Sequence, residues 1–338
     1  MSDSLRPSPG FGGKSSTADQ VWRRFGKVEN YVEPFFGSGA VLLASPYIPK
    51  VESINDKNRF VVNFWRSIQA HPELVAYHAD WPVNEADLEA RHYWLVTEGA
   101  ARLNELTGDP MAYDAQIAGW WVWGACSWIG SGWCSGEGPW RWTGDGWDKG
   151  DAGQGIKRQL PHLGNAGQGI RRQLPHLGDA GQGINRKLPH LGNAGQGINR
   201  WFDRLAKRLR NVRVACGDWS RVCGPSVTWR HGLTAVFLDP PYSAKDRVEV
   251  YAEDCFQIAA EVREWALENG NRPDMRIALC GYENEHRMPA SWSAWRWKTK
   301  GGYGSQGEGQ GRDNSARECI WFSPHCVPAN QVSLFDAG

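Results

Sequence analysis

A glycine turn set between a strand-like run and a helical run constrains this chain more than any other stretch. Glu33-Pro34-Phe35-Phe36-Gly37-Ser38-Gly39 leaves the strand-like Tyr31–Phe35 and opens a short helical segment, Ala40–Ala44. Strand, glycine turn and helix in that order begin a parallel α/β sheet, because glycine lets the backbone turn sharply and approach a ligand. The alternation continues with a strand at Val51–Ile54 and a helix at Asn58–Gln69. It resumes after residue 210, with strands predicted at Val212–Ala215, Ala235–Leu238, Arg276–Cys280 and Glu318–Phe322. Between them, Val248–Leu267 has helical periodicity, with Val250, Cys255, Ile258, Ala259, Val262 and Ala266 on one face. A helix is also predicted at Ala18–Arg24. The fold class expected is therefore α/β, a doubly wound, Rossmann-like sheet.

Residues 85–204 interrupt the alternation and read as an inserted domain, mainly helical or irregular. The catalytic-type domain is then discontinuous, 1–84 with 205–330, followed by a tail at 331–338. Eight tryptophans fall between Trp120 and Trp147, interleaved with glycines. They read as a small aromatic core, with stacking on an opened duplex as the alternative. From Asp151 to Trp201 a 14-residue unit, Asp-Ala-Gly-Gln-Gly-Ile-Lys-Arg-Gln-Leu-Pro-His-Leu-Gly, recurs from Asn165 and Asp179 and restarts at Asn193. Its glycines and proline disfavour one continuous helix, so short helical turns between Leu-Pro-His-Leu-Gly corners are predicted. His162, His176 and His190 are equivalents within the repeats and are not read as metal ligands.

Formal net charge is only +1, but its distribution is uneven. Lys157, Arg158, Arg171, Arg172, Arg186, Lys187 and Arg200 face only Asp151 and Asp179 across the repeats. Rows of cations at regular spacing suit phosphate contacts, so Arg158, Arg171, Arg172, Arg186, Lys187 and Arg200 are candidate DNA contacts. Such contacts orient a protein without reading bases, which favours relaxed sequence specificity. The eight cysteines form no Cys-x-x-Cys pair, consistent with reduced thiols and no metal site. No apolar run reaches 18 residues and no secretion signal opens the chain, so a cytoplasmic, membrane-free protein is expected.

Leu238-Asp239-Pro240-Pro241-Tyr242 closes the buried-strand run Leu233–Leu238 and carries the second constraint. An exocyclic amine on a nucleobase is a poor nucleophile because its lone pair is delocalised into the ring. Asp239 offers one acceptor for its N–H groups and the Pro240 carbonyl another, while Pro240 and Pro241 stiffen the loop and remove competing donors. Tyr242 offers an aromatic face to an extruded base. Taken alone, the glycine turn with Asp56 about twenty residues on, placed for ribose hydroxyls, fits a nucleotide-dependent oxidoreductase equally well. The Asp-Pro-Pro-Tyr loop decides against that.

The two motifs in this order resemble the cofactor and catalytic loops of the Dam-like, D12 class of adenine-N6 DNA methyltransferases, of the phage or prophage type. The resemblance covers about residues 10–70 and 210–325. It implies S-adenosylmethionine as cofactor, with Phe36, Gly37, Ser38 and Gly39 beside its methionine and ribose portions. It also implies Lys14, after Gly12-Gly13, near the cofactor carboxylate and Asp218, after Gly217, near the adenine. Cys280-Gly281-Tyr282 stands where the family has a base-pocket wall. The expected activity is methyl transfer to adenine N6 of double-stranded DNA after base flipping, catalysed by Asp239, Pro240, Pro241 and Tyr242. Cytosine N4 presents the same amine chemistry, and a clamp-associated DNA-binding protein without catalysis is the further alternative. Gln331-Val332-Ser333-Leu334-Phe335 resembles the short motif that docks on the bacterial sliding clamp. A bacterial host cell is the setting these resemblances imply, and no nuclease motif accompanies them.

Overall fold

The structure is a computed structural model and describes residues 14–106, 112–128, 133–134, 140–142, 147–149, 195–241, 249–283, 285–296 and 318–329. In chain order its elements are α1 (Ala18–Phe25), β1 (Asn30–Glu33), α2 (Ala40–Leu43), β2 (Val51–Asp56), α3 (Arg59–Ala70), α4 (Pro72–Ala79), α5 (Glu85–Trp94), α6 (Ala100–Leu106) and α7 (Ala115–Ser127). There follow β3 (Trp140–Trp142), β4 (Trp147–Lys149), α8 (Gly195–Leu209), β5 (Arg213–Cys216), β6 (Thr234–Leu238), α9 (Glu249–Asn269), β7 (Met275–Tyr282), β8 (Ser293–Arg296) and β9 (Glu318–Phe322). They divide into two compact units, one drawn from Gly12–Lys57 and Asn211–Gly338, the other from Asn58–Arg210.

The first unit is built on a seven-stranded sheet in the order β5-β2-β1-β6-β7-β9-β8. The strands from β5 to β7 run parallel, and β9 pairs antiparallel with both β7 and β8. Every residue of β1 and β6 is buried, as a central parallel strand covered on both faces requires. Val32, Val236, Leu238, Ile277 and Leu279 of the sheet pack with Val262 and Ala266 of α9. Ile258 of the predicted apolar face is partly buried against the same cluster, whereas the side chains of Val250 and Cys255 lie outside the described residues.

The chain visits β1, β2 and β5 on one side of the sheet and then crosses to β6 on the other side of β1. Loops leaving the carboxyl ends of β1 and β6 therefore diverge, and a crevice opens between them. The α/β, doubly wound class expected from the sequence is the class observed.

The second unit is helical, with a β3–β4 hairpin. Its α7 starts at a reciprocal pair: Asn63 Nδ2 donates to the Asp114 carbonyl at 2.8 Å, and Asp114 N–H donates to Asn63 Oδ1 at 2.8 Å. Trp121 and Trp123 are buried, and Phe64 packs edge-on against Trp65 and Phe202. The Arg91 guanidinium lies 4.9, 4.9 and 4.4 Å from the ring centres of Trp81, Trp120 and Trp123. These tryptophans thus serve a core.

The repeat prediction needs a correction in its fourth copy. There α8 runs unbroken through Gly195 and Gly197. Asp203 stands where the earlier copies have proline, and Ile198, Phe202, Leu205 and Leu209 are all buried, which offsets the glycine cost. The first three copies lie outside the described residues.

One buried base in this unit gives it an acid limit. His92 stacks on Trp128 with centroids 4.9 Å apart and planes 18° apart, and it is 4% exposed. Burial pushes its pKa from 6.5 down to about 4. The folded chain holds the neutral ring, so this contribution is complete above the unfolded pKa and is lost as pH falls from about 6.5 toward 4. By linkage the loss is about 3 kcal/mol. In urea titrations His92→Phe should flatten the acid side of the stability curve, leaving a residual slope from His78, which shifts the same way. An unaltered slope would contradict this.

Candidate active site

Three loops at the carboxyl ends of β1, β2 and β5 are laced together through two adjacent residues. Asn55 Nδ2 donates to the carbonyls of Pro34 and Gly217, both at 3.0 Å. Its backbone carbonyl accepts the Phe36 N–H at 2.9 Å. Asp56 Oδ2 accepts the Gly37 N–H at 2.9 Å, and the Asp56 carbonyl accepts the Gly217 N–H at 3.0 Å. Asp56, the candidate for ribose contact, thus also holds the glycine turn through its carboxylate. Asn55 carries more of the architecture than the sequence suggested, and its only signal was its place at a strand end.

The turn itself needs its glycines. Gly37 has φ +46° and Gly39, the N-cap of α2, has φ +65°, both left-handed. A Cβ built on Gly37 meets nothing within 4 Å, whereas one on Gly39 falls 2.4 Å from Phe36 Cζ. Phe36 and Ser38 are buried in this turn, and Phe35 stacks on Trp219 at 6.3 Å. Asp218 caps the next turn, accepting the Ser220 N–H at 3.0 Å; its hydrogen bonds from Ser220 hold its carboxyl below the usual range.

Across the crevice, β6 ends at Leu238 and delivers Asp239, with Pro240 buried and Pro241 exposed. Tyr242 lies outside the described residues. Lys14 Nζ sits 3.3 Å from Asp239 Oδ1 and 3.2 Å from Glu318 Oε2. Burial alone lowers the Lys14 pKa, but the Asp239 and Glu318 carboxylates outweigh it and hold the ammonium above its ordinary range. The lysine anticipated from the N-terminal motif is thus brought to the aspartate of the second motif.

Glu33, the last residue of β1, is fully enclosed. Burial pushes its carboxyl well above the usual carboxylate range, although the Tyr31 hydroxyl donates to it at 2.7 Å. The Cys280 thiol is likewise pushed up by burial, which keeps it protonated and non-nucleophilic. Glu33, though it heads the glycine-turn string, and Glu318, the first residue of β9, were given no role from sequence, since a lone acidic residue at a strand end has no distinctive spacing.

The arrangement combines a partly buried cation, an adjoining carboxylate and an open glycine turn at a topological switch point. Residues 11–97 match the model of the D12 class N6 adenine-specific DNA methyltransferase family. The match supports an adenine-specific DNA methyltransferase, an enzyme that acts on DNA. It spans α1 through the glycine turn to α5 and contains Lys14, Asn55 and Asp56, while Asp239 and Glu318 lie beyond it. No curated protein matches the chain. Among the described residues no helix is long and apolar enough to cross a membrane, and no cluster of His, Cys, Asp or Glu is suited to a metal ion.

Of the candidate DNA contacts, Arg200 is exposed on α8; Arg158, Arg171, Arg172, Arg186 and Lys187 lie outside the described residues. Gln331–Phe335 lies outside them as well.

Proposed function

We propose that the enzyme takes its methyl group from S-adenosylmethionine and delivers it to the N6 amine of an adenine swung out of duplex DNA. The observation that carries this reading is the position of Asp239, at the end of β6 beside the glycine turn that ends β1.

The residues present fit the cofactor. Gly37 leaves open space at a left-handed turn where backbone can meet a ligand closely, and Lys14 is a partly buried cation suited to a carboxylate. In this reading Phe36, Gly37, Ser38 and Gly39 shape the cradle, Lys14 receives the amino-acid end, and Asp56 and Asp218 face the nucleoside end. When bound, S-adenosylmethionine supplies a methyl group on a cationic sulfur, open to in-line attack.

The chain's own part is to hold and polarise the amine. Asp239 accepts one N–H and the Pro240 carbonyl the other, drawing the nitrogen's lone pair out of the ring, and Asp239 takes the proton released once the amine is methylated. Pro240 and Pro241 keep these acceptors rigid, so alignment is achieved before the reaction begins. Tyr242 stacks on the extruded base, offsetting part of the few kcal/mol that leaving the duplex costs. The basic residues Arg158, Arg171, Arg172, Arg186, Lys187 and Arg200 meet phosphates in the same reading. Docking on the sliding clamp through Gln331–Phe335 rests on that motif's sequence alone.

Incubation with methyl-labelled S-adenosylmethionine and duplex DNA tests the reading. Label should enter the DNA fraction in proportion to enzyme and time; DNA without label would contradict it.

A further inference from the structure

β9 is antiparallel to its neighbours, so its first residue, not its last, reaches the edge where β1, β6 and β7 end. Glu318 is that residue, in register with Tyr282 at the carboxyl end of β7. Its Oε2 lies 3.2 Å from Lys14 Nζ, and the same ammonium lies 3.3 Å from Asp239 Oδ1. The three side chains are 21%, 13% and 26% exposed respectively, so water screens them only in part. One ammonium is shared by two carboxylates, one just past the end of β6 and one at the start of β9.

Sharing has a chemical consequence. An acceptor for the target amine needs free lone pairs, and an ammonium held by one carboxylate alone settles on it. The second carboxylate draws Lys14 away from full engagement with Asp239 while keeping the cation in the site. Glu33 does not substitute for it: burial pushes that carboxyl well above the usual range.

We propose that Glu318 is a positioning residue for methyl transfer, dividing Lys14 between itself and Asp239 so that Asp239 keeps an oxygen for the target amine. The inference rests on the reading of Asp239 as the amine acceptor. It lies outside the 11–97 match, which ends far before β9.

Glu318→Gln in the full chain tests it through two readouts. The first is acetylation of Lys14 by acetic anhydride at pH 8.5, followed by mass spectrometry. It needs no reaction, because the rate follows the fraction of neutral amine. Loss of one carboxylate should speed it about tenfold, the equivalent of one pKa unit. The second is steady-state kinetics, where kcat should fall about tenfold with KM for DNA little changed, as for an interaction felt in the transition state. Lys14→Met with Glu318→Gln should be no slower than Lys14→Met alone, since Glu318 acts through Lys14. Glu318→Asp keeps the charge on a shorter arm and should fall between wild type and Glu318→Gln in both readouts; it replaces the amide variant if that one unfolds.

Lys14 acetylation at the wild-type rate would overturn the proposal whether or not DNA is methylated, and so would a wild-type kcat. Should wild type leave no methyl on DNA while Glu318→Gln still speeds acetylation, the role given to Asp239 fails and Glu318's hold on Lys14 stands.

Discussion

Asp239→Ala should reduce the single-turnover rate of DNA methylation at least about a hundredfold, the range in which a positioned proton acceptor contributes. Its side chain is 26% exposed at the end of β6, so truncation opens no sealed cavity. Lys14 keeps Glu318 at 3.2 Å and is not stranded as an unpaired buried charge. Thermal unfolding should therefore move by only a few degrees, and titration calorimetry should find cofactor affinity within a few-fold of wild type. Loss confined to the rate is what separates a catalytic carboxylate from a structural one. A variant that keeps more than a tenth of the wild-type rate would remove Asp239 from the chemistry.

The second large effect contrasts the two glycines of the turn. Gly39→Ala meets both penalties at once: a left-handed backbone at φ +65° and a Cβ 2.4 Å from the tip of the buried Phe36 ring. The first costs about 1–2 kcal/mol and the second, as overpacking, about 1–3 kcal/mol. Gly37→Ala carries only the first, because nothing lies within 4 Å of its added Cβ. Urea unfolding should rank Gly39→Ala well below Gly37→Ala. Cofactor affinity should behave in the opposite sense relative to stability. Gly37→Ala puts a methyl group into space proposed for S-adenosylmethionine and should weaken binding about tenfold or more in a protein that remains folded. Equal stability losses for the two variants would contradict the packing described for Phe36. Undiminished affinity in Gly37→Ala would contradict the cradle.

The strands that build this site were legible because they are central. β1 and β6 are buried on both faces, and β6 shows it as the apolar run Ala-Val-Phe-Leu, whereas β1 has only Tyr31-Val32 between the polar Asn30 and Glu33 and is marked by the glycine turn that follows it. The glycine turn was legible for a different reason, since glycine is the residue most at ease at two left-handed positions two residues apart. β8 was not foreseen, and its residues say why. Ser293-Ala294-Trp295-Arg296 is an edge strand, exposed except at Trp295, and lacks both an apolar run and alternation.

α8 was obscured by glycines that, counted by propensity, argue against a helix; four buried side chains decided otherwise. The site's supporting cast was hidden in a similar way. Glu318 reaches Lys14, 304 residues away in sequence, only because β9 reverses direction. Asn55 binds two loops that no local pattern links. Sequence reading finds groups that act in their own neighbourhood, whereas these act through topology.

Digestion of methylated duplex DNA to nucleosides, separated by chromatography and identified by mass, tests the assignment at its root. Wild-type enzyme should yield labelled N6-methyl-2′-deoxyadenosine, and Asp239→Ala should yield almost none. Label in N4-methyl-2′-deoxycytidine, or in no nucleoside, would contradict adenine-N6 methylation at this site.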